Sequence, residues 1–399
     1  MIEENPANEQ PNEGKKTIDK VAEDYFIPQE PGRFSETDLN LILEHSAKFD
    51  VSDITIQTGE PIIMEEYGKL RKLSRKSLSN AEAGDLLNSI YGANGTTRLL
   101  SGEDIDTNYE FKPDRANRLR FRVNATACMV DGHEGMQITL RTIPTDPPIL
   151  SGLELEPDLI KALKPSEGVV YVTGATGSGK TTLLASIIRS IVEDPEEHRK
   201  ILTYESPIEF VYDNIERHAS IVSQTEIPKH LPSFAHGVRN ALRRKPRLIL
   251  VGESRDYETI NAVLDAALTG HPVYTTVHSN GVAETARRLI GSFPRSERMG
   301  KTIDIIETLR LIIWQKLVPS TDGKQTALRE YLVFTDKVRD ALLSQDVDNI
   351  TANIRKELKK SKTSMIDCAI KKHKAGIISD ETFNKLKQMD QSANKDLGT

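Results

Sequence analysis

The sequence predicts an α/β fold in which helices cover a mostly parallel sheet and a smaller α+β domain comes first. Two observations carry this prediction. Between residues 153 and 335, strand-like and helix-like segments alternate, as they do when helices connect parallel strands. Between residues 34 and 143, short strand-like runs follow one another with little between them, which favours an antiparallel sheet.

Composition and charge exclude several classes of protein. The 399 residues include 53 Lys and Arg and 59 Asp and Glu, a net charge of −6, so direct nucleic-acid binding is not expected. The two cysteines, Cys128 and Cys368, form no CxxC pattern, which argues against a disulfide or zinc framework. No apolar run approaches the roughly 20 residues of a membrane helix, and the first residues do not form a signal peptide. We therefore expect a soluble, cytoplasmic protein.

The first part of the chain is expected to hold a disordered leader and the α+β domain. Residues 1–33 are poor in apolar side chains and rich in Glu, Asn, Pro and Gln, which is typical of disorder. Residues 34–143 form the predicted domain, in which a helix is followed by a hairpin that turns at Thr58–Pro61. A second helix, Ser79–Tyr91, then precedes three further strand-like runs.

A linker and two further segments complete the predicted organisation. Residues 144–152 contain three closely spaced prolines, which interrupt helices and central strands and make a short, rather stiff connector. Residues 153–335 form the larger domain, and residues 336–399 follow it as helices with short breaks.

A glycine-rich loop indicates nucleotide binding. The stretch YVTGATGSGKTTLL fits the pattern GxxxxGK[ST] between a strand and a helix, where backbone N–H groups and the helix N-terminus surround phosphates. Lys180 is expected to reach the β- and γ-phosphates, and Thr181 to ligate Mg²⁺. The predicted nucleotide-binding residues here are Gly174, Ala175, Thr176, Gly177, Ser178, Gly179, Lys180, Thr181 and Thr182.

Two further strands end in carboxylates. Glu253 follows the apolar run Leu248–Val251, and it is expected at the carboxyl end of a buried strand, close to Mg²⁺ or its water. Glu205 follows the strand in KILTYESPIEF and is the candidate group for activating the attacking water. Glu209 is either part of the same site or a solvated turn residue.

A fourth strand, PVYTTV, lies between two histidines. His271 and His278 are seven residues apart and would face opposite ways on a regular strand, so a zinc pair is not expected. His278 lies at the ligand-facing end and is a candidate sensor of the γ-phosphate. A structural role remains the alternative for both.

Arginines stand out in two segments. In SFAHGVRNALRRKP, Ser233 begins a predicted helix on which Arg239 and Arg243 share one face, as a salt-bridged surface or as a nucleotide-binding pair. In RLRFRVN, arginines including Arg120 and Arg122 alternate with apolar residues on a strand. That charged face is expected to meet phosphate or, in an ordinary ion-pairing role, Asp and Glu.

Taken together and in this order, these segments resemble the secretion ATPase superfamily, and most closely its PilT-like branch with the DotB and TraJ ATPases. The segments that carry the resemblance are SDITIQTGEP, RFRVNA, GATGSGKTT, TYESPIEF, SFAHGVRNALRRKPRLILVGESRDYETI, TGHPVYTTVHS and LRLIIWQKLVP. The resemblance implies a RecA-like core, a PAS-like N-terminal domain and a hexameric ring. It covers roughly residues 35–319, and LRLIIWQKLVP is similar to a signature segment that is not expected in the active site.

The resemblance also assigns roles to residues. Glu205 matches the catalytic glutamate and Glu253 the Walker B glutamate, with Lys180 as a catalytic lysine. The residues it adds to the nucleotide-binding set are His278, Arg239, Arg243, Arg120 and Arg122. Ser206 departs from the pattern, because an aspartate is usual there, and this puts the rate of turnover in doubt.

We therefore expect an ATP hydrolase, a homohexameric motor with Mg²⁺ and ATP that energises a type IVB secretion or conjugation apparatus. It would be recruited from the cytoplasm to inner-membrane secretion proteins, without direct nucleic-acid binding. The alternatives are a type IV pilus retraction ATPase, a nucleic-acid-stimulated translocase and a nucleotide-gated assembly platform.

Overall fold

A computed structural model describes residues 25–114, 117–345 and 349–395, with side chains as far as residue 389. The described residues divide into two compact units, one ending at Thr145 and the other beginning at Asp146, and each has its own sheet and hydrophobic core. None of the described helices is long and apolar enough to span a bilayer.

The first unit is built on a six-stranded antiparallel sheet. Its strands are β1 (Val51–Gln57), β2 (Ile63–Glu66), β3 (Lys69–Lys72), β4 (Ile105–Phe111), β5 (Leu119–Val130) and β6 (His133–Thr142), in the order β3-β2-β1-β6-β5-β4. Its helices are α1 (Leu39–Ser46), α2 (Asn80–Tyr91) and α3 (Gly95–Leu100). The predicted hairpin and antiparallel sheet are confirmed, with Ile54 opposite Met64. The edge strand β3 was not predicted, because KLRK lacks an apolar alternation.

The first unit begins earlier than residue 34, where the predicted domain starts. Ile27 is fully buried, and its backbone N–H donates to the carbonyl oxygen of Leu73. The carboxylate of Glu30 accepts two backbone N–H groups from the loop that follows β3. A short apolar group inside a polar stretch provides this anchor. It was missed because the prediction of a disordered leader used the average composition of residues 1–33. Residues 1–24 of the predicted leader lie outside the described residues.

The second unit contains a seven-stranded sheet. Its strands are β7 (Gly168–Thr173), β8 (Lys200–Glu205), β9 (Ile221–Glu226), β10 (Leu248–Val251), β11 (Pro272–Val277), β12 (Leu309–Pro319) and β13 (Gln325–Val333). Their order is β13-β12-β7-β11-β10-β8-β9, and all pairs are parallel except β12 with β13. β7 and the five strands that run parallel to it therefore have their carboxyl ends along one edge of the sheet, where α/β folds bind ligands.

Helices cover both faces of this sheet. They are α4 (Pro157–Ala162), α5 (Lys180–Val192), α6 (Phe234–Ala241), α7 (Tyr257–Leu268), α8 (Val282–Gly291), α9 (Arg298–Thr308), α10 (Asp336–Leu343), α11 (Ile350–Ser361), α12 (Met365–Lys374) and α13 (Asp380–Lys395). On β7, Val169 and Tyr171 enter the core on one face, and Val170 and Val172 enter the core on the other. Full burial of such side chains contributes about 1.5–3 kcal/mol each, which explains why the strand reads as a continuous apolar run.

The C-terminal helices pack on the edge of this sheet. Apolar residues of α12 and the chain beyond it, including Cys368 and Ile378, form a small cluster with Val318 and Leu328 of the β12–β13 hairpin. The half-buried carboxylate of Glu330 on β13 accepts the first backbone N–H groups of α8 and α12, from Val282 and Met365. One side chain therefore ties two helix N-termini to the edge strand.

Candidate active site

The glycine-rich loop connects β7 to α5, as its sequence predicts. Gly174 has φ 148°. A Cβ atom at this position would lie 2.4 Å from the carbonyl oxygen of Gln315 and 2.5 Å from Oγ of Ser178, so only glycine fits. Gly177 and Gly179 also have positive φ, at 75° and 80°. The loop turns tightly because these three positions accept backbone conformations that other residues rarely adopt.

Lys180 is buried at the start of α5. Its ammonium Nζ donates to the carbonyl oxygens of Gly174 and Ala175, at 3.1 and 2.9 Å. Burial lowers the pKa of this ammonium, and the negative charges of Glu253 and Glu209 oppose that shift. Glu209, which the sequence left between a site role and a solvated turn, is therefore close enough to influence the loop lysine.

The structure brings His278 and Glu253 to the glycine-rich loop. His278 follows β11, and its Nδ1 lies 3.2 Å from the carbonyl oxygen of Gly174. Because a carbonyl oxygen only accepts, Nδ1 must carry the proton of this hydrogen bond. The other ring nitrogen, Nε2, lies 3.7 Å from Oε1 of Glu253, which follows β10. Both predicted residues thus lie at the carboxyl edge of the sheet, beside the loop.

Glu205 is buried at the end of β8, the strand next to β10. Its Oε1 accepts hydrogen bonds from Oγ1 of Thr203 at 2.6 Å and from Nε2 of Gln224 at 3.1 Å. The backbone approaches closely here, because a Cβ on Gly252 would lie 3.4 Å from Cα of Glu205. The two glutamates predicted from separate strands therefore stand at the carboxyl ends of adjacent strands, β8 and β10.

Sequence reasoning missed the groups that orient Glu205. Thr203 precedes it by two residues on the same strand. Because side chains alternate along a strand, this spacing could have predicted that the two side chains lie on the same face. Gln224 lies on β9, and only the parallel pairing of β8 with β9 brings it near. It also donates to the carbonyl oxygen of Phe210, which holds the amide in place.

Ser206, the departure from the superfamily pattern, lines a cavity of about 610 Å³ beside this edge. Pro228, Phe234, Arg255 and Tyr257 are among the other lining residues. Ser206 thus borders an open cavity whose lining includes charged residues.

His271 lies at the opposite end of β11 from His278. Its Nδ1 contacts the carbonyl oxygen of Ala266 and Oγ1 of Thr269, which is a structural role. Among the described residues, no group of three or more His, Cys, Asp and Glu could hold a metal ion.

The predicted arginines lie apart from the loop. Arg239 is on α6, which ends at Ala241, and Arg243 follows in the next turn and donates to the carbonyl oxygen of Arg239. Both guanidinium groups are exposed. Within the described part of the chain, neither forms a hydrogen bond with the glycine-rich loop, Glu205 or Glu253.

Arg120 and Arg122 belong to the first unit and meet carboxylates of β4. The guanidinium of Arg120 is buried and lies 3.6 Å from Glu110, and that of Arg122 lies 2.9 Å from Asp106. This is the ion-pairing alternative that the sequence left open.

Another feature that the sequence did not predict is the contact between β12 and the loop. The segment LRLIIWQKLVP, expected outside the active site, forms β12, and Nε2 of Gln315 donates to the carbonyl oxygen of Ser178 at 2.7 Å. Gln315, Gly179, Thr182 and Leu183 also line a cavity of about 680 Å³ next to the loop. That volume is in the range of small-molecule sites.

Comparison with known proteins places this geometry in a family. Residues 106–398 match the family described as type II/IV secretion system protein. The chain belongs to that family. The type IV pilus retraction ATPase PilT of Pseudomonas aeruginosa is 32% identical over 319 residues, which are 80% of this chain and 89% of PilT.

Two solved structures are similar to this member of the type II/IV secretion system protein family. The Legionella pneumophila ATPase DotB is 59% identical with a TM-score of 0.84, covering 90% of this chain and 98% of DotB. The pilus retraction motor PilT, solved with bound ADP, is 29% identical with a TM-score of 0.75, covering 86% of this chain and 95% of PilT. The superfamily resemblance and the RecA-like α/β core are thus confirmed, and the chain is a nucleotide-binding ATP hydrolase.

Proposed function

We propose that this chain is a homohexameric motor that hydrolyses ATP to drive a type IVB secretion or conjugation apparatus. The observation that carries the proposal is Glu205, a buried carboxylate oriented by Thr203 and Gln224 at the same sheet edge as the glycine-rich loop. The similarity to DotB over 90% of the chain supports the choice of machine.

In the proposed reaction, backbone N–H groups of residues 174–182 surround the phosphates of ATP, and Lys180 neutralises their charge. Glu205 accepts a proton from a water molecule whose oxygen attacks the γ-phosphorus. The bond from the γ-phosphorus to the β,γ-bridging oxygen breaks, and ADP leaves with that electron pair. His278 holds the strand end against the loop through Gly174, so it is placed to respond to the γ-phosphate.

Mg²⁺ fits the residues at this edge. Thr181 offers a hydroxyl at the start of α5, and Glu253 offers a carboxylate at the end of β10. Mg²⁺ is usually held by one or two such oxygens together with phosphate and water, so the lack of a three-residue cluster in the described chain is compatible with it. When bound, the ion supplies charge neutralisation at the β- and γ-phosphates.

Assembly and location complete the proposal. The exposed guanidiniums of Arg239 and Arg243 are proposed to complete the site of a neighbouring subunit in the ring. Arg120 and Arg122 are proposed to approach nucleotide by exchanging Glu110 and Asp106 for phosphate. The ring would bind inner-membrane secretion proteins from the cytoplasm, and nucleic acid is not an expected partner.

Two observations favour specific alternatives. The 32% identity to PilT supports a type IV pilus retraction ATPase. Ser206, in place of the usual aspartate, supports a nucleotide-gated assembly platform in which hydrolysis is incidental.

The test is ATPase rate and particle mass, measured together for the wild type and Glu205→Gln with Mg-ATP. We expect the variant to form the same hexamer and to hydrolyse at least about tenfold more slowly. Glu226→Gln, at the end of the adjacent strand, is the matched control and should retain activity. Equally slow hydrolysis by the wild type and Glu205→Gln, with ATP-dependent assembly, would replace the motor with the platform.

A further inference from the structure

Gln315 contacts the glycine-rich loop at two points. Its backbone carbonyl oxygen lies where a side chain on Gly174 would have to be, and its side-chain Nε2 donates to Ser178. A Cβ on Gly179 would lie 2.9 Å from the same Nε2. The Gln315 side chain is only 4% exposed. One residue of β12 therefore lies against the first, fifth and sixth residues of the loop.

Arg329 determines which way the Gln315 amide faces. The two residues are directly opposite each other on β12 and β13, and Nε of Arg329 donates to Oε1 of Gln315 at 2.8 Å. A guanidinium only donates, so it must face the amide oxygen, and the amide NH₂ is left to face the carbonyl oxygen of Ser178. Arg329 is itself 3% exposed, so water does not compete strongly for this hydrogen bond.

Burial of the Arg329 charge is offset by carboxylates in the segment that precedes α4. Burial lowers the pKa of the guanidinium, and the negative charges of Glu156 and Glu154 oppose the shift. The Nζ of Lys372 on α12 forms an ion pair with Glu154 at 2.9 Å and donates to Oγ1 of Thr326 at 2.7 Å. The polar chain thus runs from the C-terminal helices to the loop.

We propose that Gln315 is a positioning residue that holds the glycine-rich loop in its phosphate-binding shape, and that Arg329 acts through it. This inference rests on the proposed function, since it assumes that the loop binds nucleotide phosphates. The carbonyl oxygen of Ser178 has to point away from the phosphates if the loop N–H groups are to point towards them. The Gln315 amide fixes that carbonyl, so the loop is already ordered when nucleotide arrives.

Gln315→Glu is the decisive variant. It preserves size and the acceptor for Arg329, but it places a carboxylate oxygen against the Ser178 carbonyl oxygen and removes the donor. We expect ADP to bind about tenfold more weakly, because a buried hydrogen bond to the loop is replaced by two facing acceptors. The KM for ATP should rise by a similar factor, whereas kcat should stay within about threefold, because bound nucleotide reorders the loop.

Hydrogen exchange at the amides of residues 178–181 without nucleotide gives a readout that does not depend on ATP hydrolysis. In Gln315→Glu these amides should exchange at least about fivefold faster, with an unchanged thermal midpoint. Arg329→Lys, which keeps a donor to Oε1, should fall between the wild type and Gln315→Glu. Lys316→Gln, on the same strand, is the control and should match the wild type.

The outcomes separate the two proposals. Unchanged loop exchange in a folded Gln315→Glu protein overturns the positioning role, whatever the protein does with ATP. Faster exchange with unchanged ADP affinity also overturns it, because loop order would then not affect binding. A wild type that neither binds nor hydrolyses ATP would overturn the proposed function, and the exchange result would still decide whether Gln315 orders the loop.

Discussion

His278 connects the glycine-rich loop to Glu253: its Nδ1 donates to the carbonyl oxygen of Gly174, and its Nε2 lies 3.7 Å from Oε1 of Glu253. Removing the imidazole in His278→Ala deletes the first contact and leaves the Lys180 ammonium as the remaining donor to the Gly174 carbonyl oxygen. We expect the ATPase kcat to fall about fivefold, as the loss of one such hydrogen bond would cause.

His271 is the matched control for this prediction, since it flanks the other end of β11 and also bonds through Nδ1 to a backbone carbonyl, at Ala266. His271→Ala should lower the thermal midpoint slightly and leave kcat unchanged. Equal kcat for both alanine variants would show that His278 is only a structural residue.

Thr203 donates a hydrogen bond from its hydroxyl to Oε1 of Glu205, at 2.6 Å. In Thr203→Val the shape is nearly kept but the donor is lost, so the carboxylate is oriented by fewer groups. We expect kcat for ATP hydrolysis to fall about five- to tenfold while KM changes less than twofold. Thr203→Ser keeps the hydroxyl and should recover most of the rate. If Val and Ser variants are equally active in steady-state assays, the orienting role of Thr203 is wrong.

Arg239 and Arg243 can be tested by mixing subunits. The double variant Arg239→Ala/Arg243→Ala and the variant Glu205→Gln should each be nearly inactive as pure rings. If the arginines complete a neighbour's site, mixed rings at equal ratio contain intact sites at roughly a quarter of the interfaces and should show that share of wild-type activity. Mixed rings that remain inactive would place the arginines in the site of their own subunit.

Glu82 makes the stability of the first unit depend on pH. Burial acts to raise its pKa, but hydrogen bonds from Lys76, Ser79 and Phe34 outweigh burial and lower the pKa to about 2. A lowered pKa stabilises the folded state above the ordinary value of 4.5, and this stabilisation is lost as pH falls towards 2. Glu82→Gln should lower the unfolding free energy by about 1–3 kcal/mol at pH 7.

Hydrogen exchange of the α2 amides reports on this unit and provides the measurement for Glu82. The difference between the wild type and Glu82→Gln should shrink as the pH falls below 4.5 and vanish near pH 2. Glu44, an exposed residue of α1, offers a control, and Glu44→Gln should show no difference at any pH. A Glu82 effect that persists undiminished at pH 2 would contradict the charge-based explanation.

Much of the active site could be predicted because local patterns mark it. Gly174, Lys180 and Glu253 stand beside continuous apolar runs, and the parallel pairing of those strands brings their ends together. Gln315 and Gln224 could not be predicted, because their roles depend on which strands pair and in what register. Their own segments contain no sign of the groups they contact.

The same limit applies to the borders of the fold. The strand β3 is a polar edge strand, so its pairing with β2 leaves no apolar period in the sequence. Ile27 belongs to a short apolar group in a polar stretch, and its backbone N–H bonds to Leu73, which lies 46 positions further along the chain. For Ile27 the partner lies far along the chain, whereas β3 pairs with the strand just before it and escapes prediction because its residues are polar.

Glu330 has a consequence for shortened versions of this chain. Its carboxylate accepts hydrogen bonds from backbone N–H groups of both α8 and α12. The adjacent Arg329 bonds to Gln315, which contacts the glycine-rich loop. A protease cut or an early stop codon after residue 335 would remove Met365 and Lys372, and would also expose Val318 and Leu328. The truncated protein would keep every residue of its nucleotide motifs and still lose enzymatic activity. Loss-of-function alleles should therefore be found after residue 335 as well as in the motifs.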